Sequence, residues 1–284
     1  MSISGALGER RTVELPAGTI EYRERGEGAP IVFAHGAAVN GDLWRKVAPE
    51  LAQNHRIIVP DLPLGGHSIP LRGGADMSLF GLAEILASFL ESLDSDDLTL
   101  VANDTGGAIS QALVGRRPEL VTRLVLTSCD AWDTYPPKAI RYLKPTTRVA
   151  PALWMLTQLM RFKAAQRLPI AYGWATHHPI EPEIMESFLA SLRRSSGVRR
   201  DFAKLLQAAD TREMAQASES VRAFEGPALV VWAADDRFFP REHGQRLAEL
   251  MPEARFELAG NSRTFIPEDN PSRLVELLRD FVAG

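Results

Sequence analysis

Short β-branched apolar runs alternate with longer helical patterns along most of this chain, and that alternation restricts the fold more than any other feature. The runs at residues 31–34, 56–59, 98–102, 121–127, 228–232 and 255–258 have the continuous apolar character of strands buried on both faces. Helical patterns fall between them, near 42–52, 79–93, 108–117, 241–250 and 272–282. Residues 12–15 and 19–23 read as an antiparallel hairpin turning at Pro16-Ala17-Gly18. Such a series predicts an α/β fold with a mostly parallel, doubly wound sheet. The chain's 284 residues suffice for one such domain with an insertion.

The alternation stops between residues 132 and 220, where helical stretches at 149–163, 181–194 and 199–209 are divided by Pro169, Pro179 and Pro182. We expect a core domain from 1–131 and 221–284, and a helical cap from 132–220. That insertion follows a strand's C-terminal end, where open α/β sheets place their ligand crevice. The net charge of −4 lacks the basic footprint of a nucleic-acid binder and gives no attraction to an anionic membrane. Residues 149–160 are too short to span a bilayer and are interrupted by Pro151. One cysteine, Cys129, precludes an internal disulfide. With no apolar leader at the N-terminus, a cytoplasmic protein is expected, monomeric or homodimeric, with a small-molecule substrate and neither metal nor cofactor.

Four segments that follow predicted strands carry the candidate chemistry: His35-Gly36-Ala37-Ala38, the loop 61–68, Asn103-Asp104-Thr105-Gly106-Gly107, and the loop 232–240 containing Asp235-Asp236 and Phe239-Pro240. A carboxylate where a helix opens meets free backbone donors and the positive end of the helix dipole, so Asp104 is expected to stay ionised at neutral pH. An ionised carboxylate attacks carbon bearing a leaving group and forms an ester. An N-cap would also explain an aspartate there. The glycine pair after it, however, points to close approach of backbone or ligand.

In this order the segments resemble the α/β-hydrolase family over nearly the whole chain. The likeness is nearest to its aspartate-nucleophile branch, the haloalkane dehalogenases and epoxide hydrolases, where Asp-Trp-Gly-Gly stands in place of Asp-Thr-Gly-Gly. The resemblance implies Asp104 as nucleophile or base, an oxyanion hole from the N–H groups of Ala37 and Thr105, and Asp236 as the supporting acid. Asp130 is an alternative acid. The family's histidine would lie after the last strand, but no histidine follows His243, and aligning on Phe265 puts Thr264 at that position. Arg263 is expected to pair with Asp235 or Asp236. The cap histidines His177 and His178 are candidates to replace the lost base, and Tyr172 to serve as a ring-opening acid. His35, His178, Trp154, Tyr172 and Trp174, with Met155 and Leu159, are the expected substrate-binding side chains. Two readings compete with a hydrolase-family enzyme acting on a small apolar molecule: a lyase, isomerase or cyclase on the same fold, and a binding protein that has lost turnover.

Overall fold

The computed structural model describes residues 2–148 and 150–283. Eight strands form one sheet in the order β1-β2-β4-β3-β5-β6-β7-β8. They are β1 (Glu9–Leu15), β2 (Gly18–Arg25), β3 (Pro30–Ala34), β4 (Arg56–Pro60), β5 (Thr99–Asp104), β6 (Arg123–Cys129), β7 (Ala228–Ala233) and β8 (Ala254–Ala259). β1 and β2 pair antiparallel, as does β2 with β4, and all later pairs are parallel. Every residue of β3 and β7 is buried, which explains their unbroken apolar runs. The edge strand β1 is instead exposed along most of its length and reads Glu-Arg-Arg-Thr-Val-Glu-Leu, charges that deter pairing with another chain.

The helices are α1 (Leu79–Glu91), α2 (Thr105–Val114), α3 (Leu143–Thr146), α4 (Ala150–Leu159), α5 (Lys163–Gln166), α6 (Pro182–Arg194), α7 (Ser196–Ala208), α8 (Thr211–Ser220), α9 (Arg241–Leu250), α10 (Ile266–Asp269) and α11 (Pro271–Ala283). Among the described residues of 132–220 there is no strand. The first residue of the helical stretch expected at 149–163 lies outside the described residues. α8 packs against α2 and α1 and so belongs with the layer that covers the sheet. Its buried side chains, Met214, Ala217 and Ser218, keep the i, i+3, i+4 spacing of a helix face, but its sequence is mostly polar, so that face carries little apolar signal.

The helix expected at 42–52 is instead two 3₁₀ turns, Gly41–Trp44 and Ala48–Leu51. Pro49 lacks the N–H that a continuous helix would need there. Asn40 caps the first turn by accepting from the Asp42 N–H at 3.0 Å. The Asp42 carboxylate accepts from the N–H groups of Ile3 and Ser4, tying the N-terminal segment down.

The strand order sets the place of the site. From β3 the chain crosses to β4 on one side, and from β4 it returns past β3 to β5 on the other. The crevice between the C-terminal ends of β3 and β5 is therefore a topological switch point. Gly36 and Ala37 follow β3, and Asp104 ends β5.

Candidate active site

Asp104 occupies a strained turn. Its backbone lies at φ 56°, ψ −128°, a conformation L-residues rarely adopt. The β5–β6 register shifts between Asn103 and Asp104, so that Asp104 pairs with Cys129 rather than Ser128. The irregularity re-aims one side chain at the strand end. Glycines make room for it. A Cβ on Gly36 would lie 2.5 Å from Asp104 Oδ1, one on Gly106 2.6 Å from the carbonyl oxygens of Ala34 and His35, and one on Gly107 2.3 Å from Cys129 Cβ. The glycine pair thus serves close packing of the protein on itself. α2 also starts at Thr105, earlier than the 108–117 pattern indicated; Gly106 and Gly107, weak helix formers, masked its first turn in the sequence.

Asp104 Oδ1 accepts from the N–H of Thr105 at 2.6 Å and of Ala37 at 3.1 Å. Burial nevertheless pushes its carboxyl above the ordinary carboxylate range, and these two donors only partly offset that. The help expected from the helix terminus is therefore outweighed by desolvation. Asp104 lines a cavity of about 200 Å³ that is otherwise mostly apolar, with Leu153, Leu156, Met160, Leu189 and Phe202 among its walls. α4, the residue just after it, α6 and α7 contribute these side chains, so the cavity lies between the end of the sheet and the insertion.

Asp236 sits behind this wall. Its Oδ1 accepts from the N–H groups of Phe238 and Phe239, both at 2.9 Å, and from Thr264 Oγ1 at 2.9 Å. Burial lifts its pKa from 3.8 to about 6 against the pull of those donors and of the Ser128 hydroxyl. Thr264 is fully buried, and its carbonyl accepts from Asn103 Nδ2 at 2.8 Å. The same amide donates to the carbonyls of Thr127 and Ser128, so Asn103 ties three segments together beside Asp104. Sequence reading did not single out Asn103, although its place next to Asp104 at the end of a parallel strand was a usable signal.

Asp130, just past β6, lines the cavity, and its Oδ2 accepts from Thr105 Oγ1 at 3.3 Å. Burial and the neighbouring Asp104 push its carboxyl well above the usual range. Tyr135 lines the same cavity.

Several expected roles do not match the structure. His35 is buried away from the cavity: its Nε2 accepts from the Leu62 N–H at 2.8 Å, which leaves Nδ1–H to donate to the Gly36 carbonyl at 2.8 Å. Burial lowers its pKa to about 4, so it is a neutral brace between two loops. His178 is exposed and does not line the cavity. His177 meets Asp235 Oδ2 at 3.1 Å, where Arg263 was expected. Arg263 turns instead to the carbonyls of Gly173 and Thr176, the latter of which also accepts from Arg167. Trp154 is 44% exposed and Met155 59%, both outside the cavity lining, because α4 presents that face to solvent. Trp174 packs edge-on against Phe238 with ring centroids 5.9 Å apart, and it too misses the lining. Leu159 and Tyr172 do line the cavity. The Tyr172 hydroxyl is already committed, donating to the Ala38 carbonyl at 2.6 Å.

Residues 29–271 match the family described as the alpha/beta hydrolase fold. This chain belongs to that family. Among curated α/β-hydrolase relatives, it is 25% identical to a 2-hydroxy-6-oxo-2,4-heptadienoate hydrolase of Pseudomonas putida, covering 94% of this chain and 95% of the relative. It is also 25% identical to a cis-3-alkyl-4-alkyloxetan-2-one decarboxylase of Shewanella oneidensis, covering 93% and 85%. Among solved structures it superposes on an ancestral haloalkane dehalogenase with TM-score 0.76 and 21% identity, covering 96% of this chain and 98% of that one. These structures share the fold. With relatives named as hydrolases over nearly their full length, the chain is read as a hydrolase-family enzyme. Among the described residues no helix is long and apolar enough to cross a membrane.

Proposed function

We propose that the protein is an α/β-hydrolase-family enzyme of the aspartate-nucleophile kind, acting on a small, largely apolar molecule in the cavity beneath the 132–220 insertion. The observation that carries this reading is the asymmetric solvation of Asp104. Two backbone N–H groups hold Oδ1, which leaves Oδ2 for attack. Attack by Oδ2 on a carbon expels the leaving group with its electron pair and leaves an ester on Asp104. Oδ1 becomes the ester carbonyl oxygen, and the N–H groups of Ala37 and Thr105 are aimed at the negative charge it would gain when water adds. In this reading residues 132–209 form the roof that keeps the reaction dry, and α8 belongs to the core.

Release of the ester needs a base to take a proton from water. We read Thr264 as standing where the family's histidine would be, a reading supported by its hydrogen bond to Asp236. A hydroxyl does not accept that proton at neutral pH, and no histidine lines the cavity among the described residues. The ester is therefore expected to persist. Intact-protein mass spectrometry after incubation with a reactive haloalkane or epoxide tests this, with the modified peptide mapped. A single adduct on Asp104, absent from Asp104→Asn, supports the reading. A protein that stays unmodified, or one modified elsewhere, refutes it.

A second reading has its own observation. Asp104 and Asp130 both have carboxyls raised above the usual range on one cavity wall, which suits proton donation in a lyase, isomerase or cyclase reaction. Ligand recovered from D₂O with deuterium on carbon, and no adduct on Asp104, would favour it.

A further inference from the structure

Among the described residues, the cavity is lined by carboxyl groups and by no cation to balance them. Asp104 and Asp130 line it, and no lysine, arginine or histidine does. Asp236 adds a third acid close enough to act on Asp130, and Glu213 a fourth that acts on Tyr135. Arg193, whose charge reaches Tyr172, is paired with Glu186. Two polar atoms here also lack any protein partner. Asp130 is 1% exposed, and its Oδ1 accepts nothing; Tyr135 is 2% exposed, and its hydroxyl is unbonded. Leaving a buried polar group unpaired costs about 1–3 kcal/mol. Both groups belong to residues that line one cavity, where a ligand carrying a donor would satisfy them.

An ammonium group meets the requirements that a neutral hydroxyl meets only in part. It donates to carboxylate and phenol oxygens alike, and its charge is opposed by nothing on the wall. The apolar remainder of the cavity asks for a hydrocarbon body. Among the described residues no three His, Cys, Asp or Glu side chains converge as metal ligands, which turns the choice toward an organic cation. We propose that the cavity recognises an apolar molecule bearing a protonated amine, with Asp130 Oδ1 and the Tyr135 hydroxyl as its docking pair. The proposal concerns what the cavity admits and stands whether or not Asp104 forms an ester.

Calorimetry on the full chain with 2-phenylethylamine, 2-phenylethanol and phenylacetate near neutral pH tests it. These probes have similar bodies and carry a cation, a neutral hydroxyl and an anion. The amine should bind at least roughly tenfold tighter than the alcohol, a difference of about 1.4 kcal/mol, and the anion should bind weakest. Asp130→Asn should erase the preference for the amine over the alcohol, and Tyr135→Phe should reduce it while leaving the fold intact by circular dichroism. Should Asp130→Asn fail to fold, the probe series on the unmodified protein and on Tyr135→Phe still decides. Equal binding of amine and alcohol, tighter binding of the anion, or a preference unchanged in the folded variants overturns the proposal. Loss of the Asp104 adduct alone leaves it standing, so the two readings fail separately.

Discussion

Asp236 is held as a carboxyl in a place that resists its ionisation, and removing its charge should stabilise the protein in a pH-dependent way. Its pKa rises from 3.8 to about 6, chiefly through burial. An acid raised in this way leaves stability intact below the unfolded value and removes it as pH rises through the folded value. The full effect of about two pKa units is about 3 kcal/mol, reached above roughly pH 7. Asp236→Asn keeps an oxygen for the N–H groups of Phe238 and Phe239 and for the Thr264 hydroxyl, while it loses the charge. The variant should therefore be more stable than the parent by about 3 kcal/mol near pH 8, and by less than about 1 kcal/mol near pH 4. Urea denaturation of both proteins across that range measures it. A gain that does not change with pH, or a loss near pH 8, would show that Asp236 is held by its donors more strongly than burial opposes it.

Asp104→Gly relieves the positive-φ turn but leaves the N–H groups of Ala37 and Thr105 without their acceptor, so stability should change by no more than about 1 kcal/mol while any adduct is abolished; thermal melts and mass spectrometry read the two effects. Gly36→Ala should cost about 2 kcal/mol or more, since its Cβ would lie 2.5 Å from Asp104 Oδ1, and it should slow modification of Asp104. Tyr172→Phe should lose about 1 kcal/mol by leaving the Ala38 carbonyl unpaired, seen as a lower denaturation midpoint. Trp154→Ala should change stability by no more than roughly 0.5 kcal/mol and leave probe binding intact, because that side chain faces solvent.

The parallel core was legible because strands buried on both faces announce themselves as apolar runs, and the Asp104 turn because a carboxylate followed by two glycines is an unusual way to begin a helix. What stayed hidden was of two kinds. α8 has few apolar side chains and packs small residues such as Ala217 and Ser218 on α2, so the helical spacing of its buried face is only faintly marked in the sequence. The lining of the cavity depends on how each helix of the insertion is rotated about its own axis. Trp154 and Met155 look like pocket residues by type, yet α4 turns them outward while Leu153 and Leu156 face in. His35 shows the opposite error: a histidine beside the candidate nucleophile is spent on two backbone groups. The orphaned oxygens of Asp130 and Tyr135 are properties of three-dimensional packing and have no sequence signature.

The central proposal is that Asp104 attacks once and that, with Thr264 at the histidine position, the ester is not released. Halide release from phenethyl bromide, followed against time at known protein concentration, measures this directly. The expected course is one halide per protein chain followed by a plateau, no release by Asp104→Asn, and resumed turnover in Thr264→His, whose imidazole would meet Asp236 while Arg263 stays on the carbonyls of Gly173 and Thr176. Many halides per chain from the unmodified protein, undiminished when His177 and His178 are both changed to alanine, would show that another group activates water and would contradict the account.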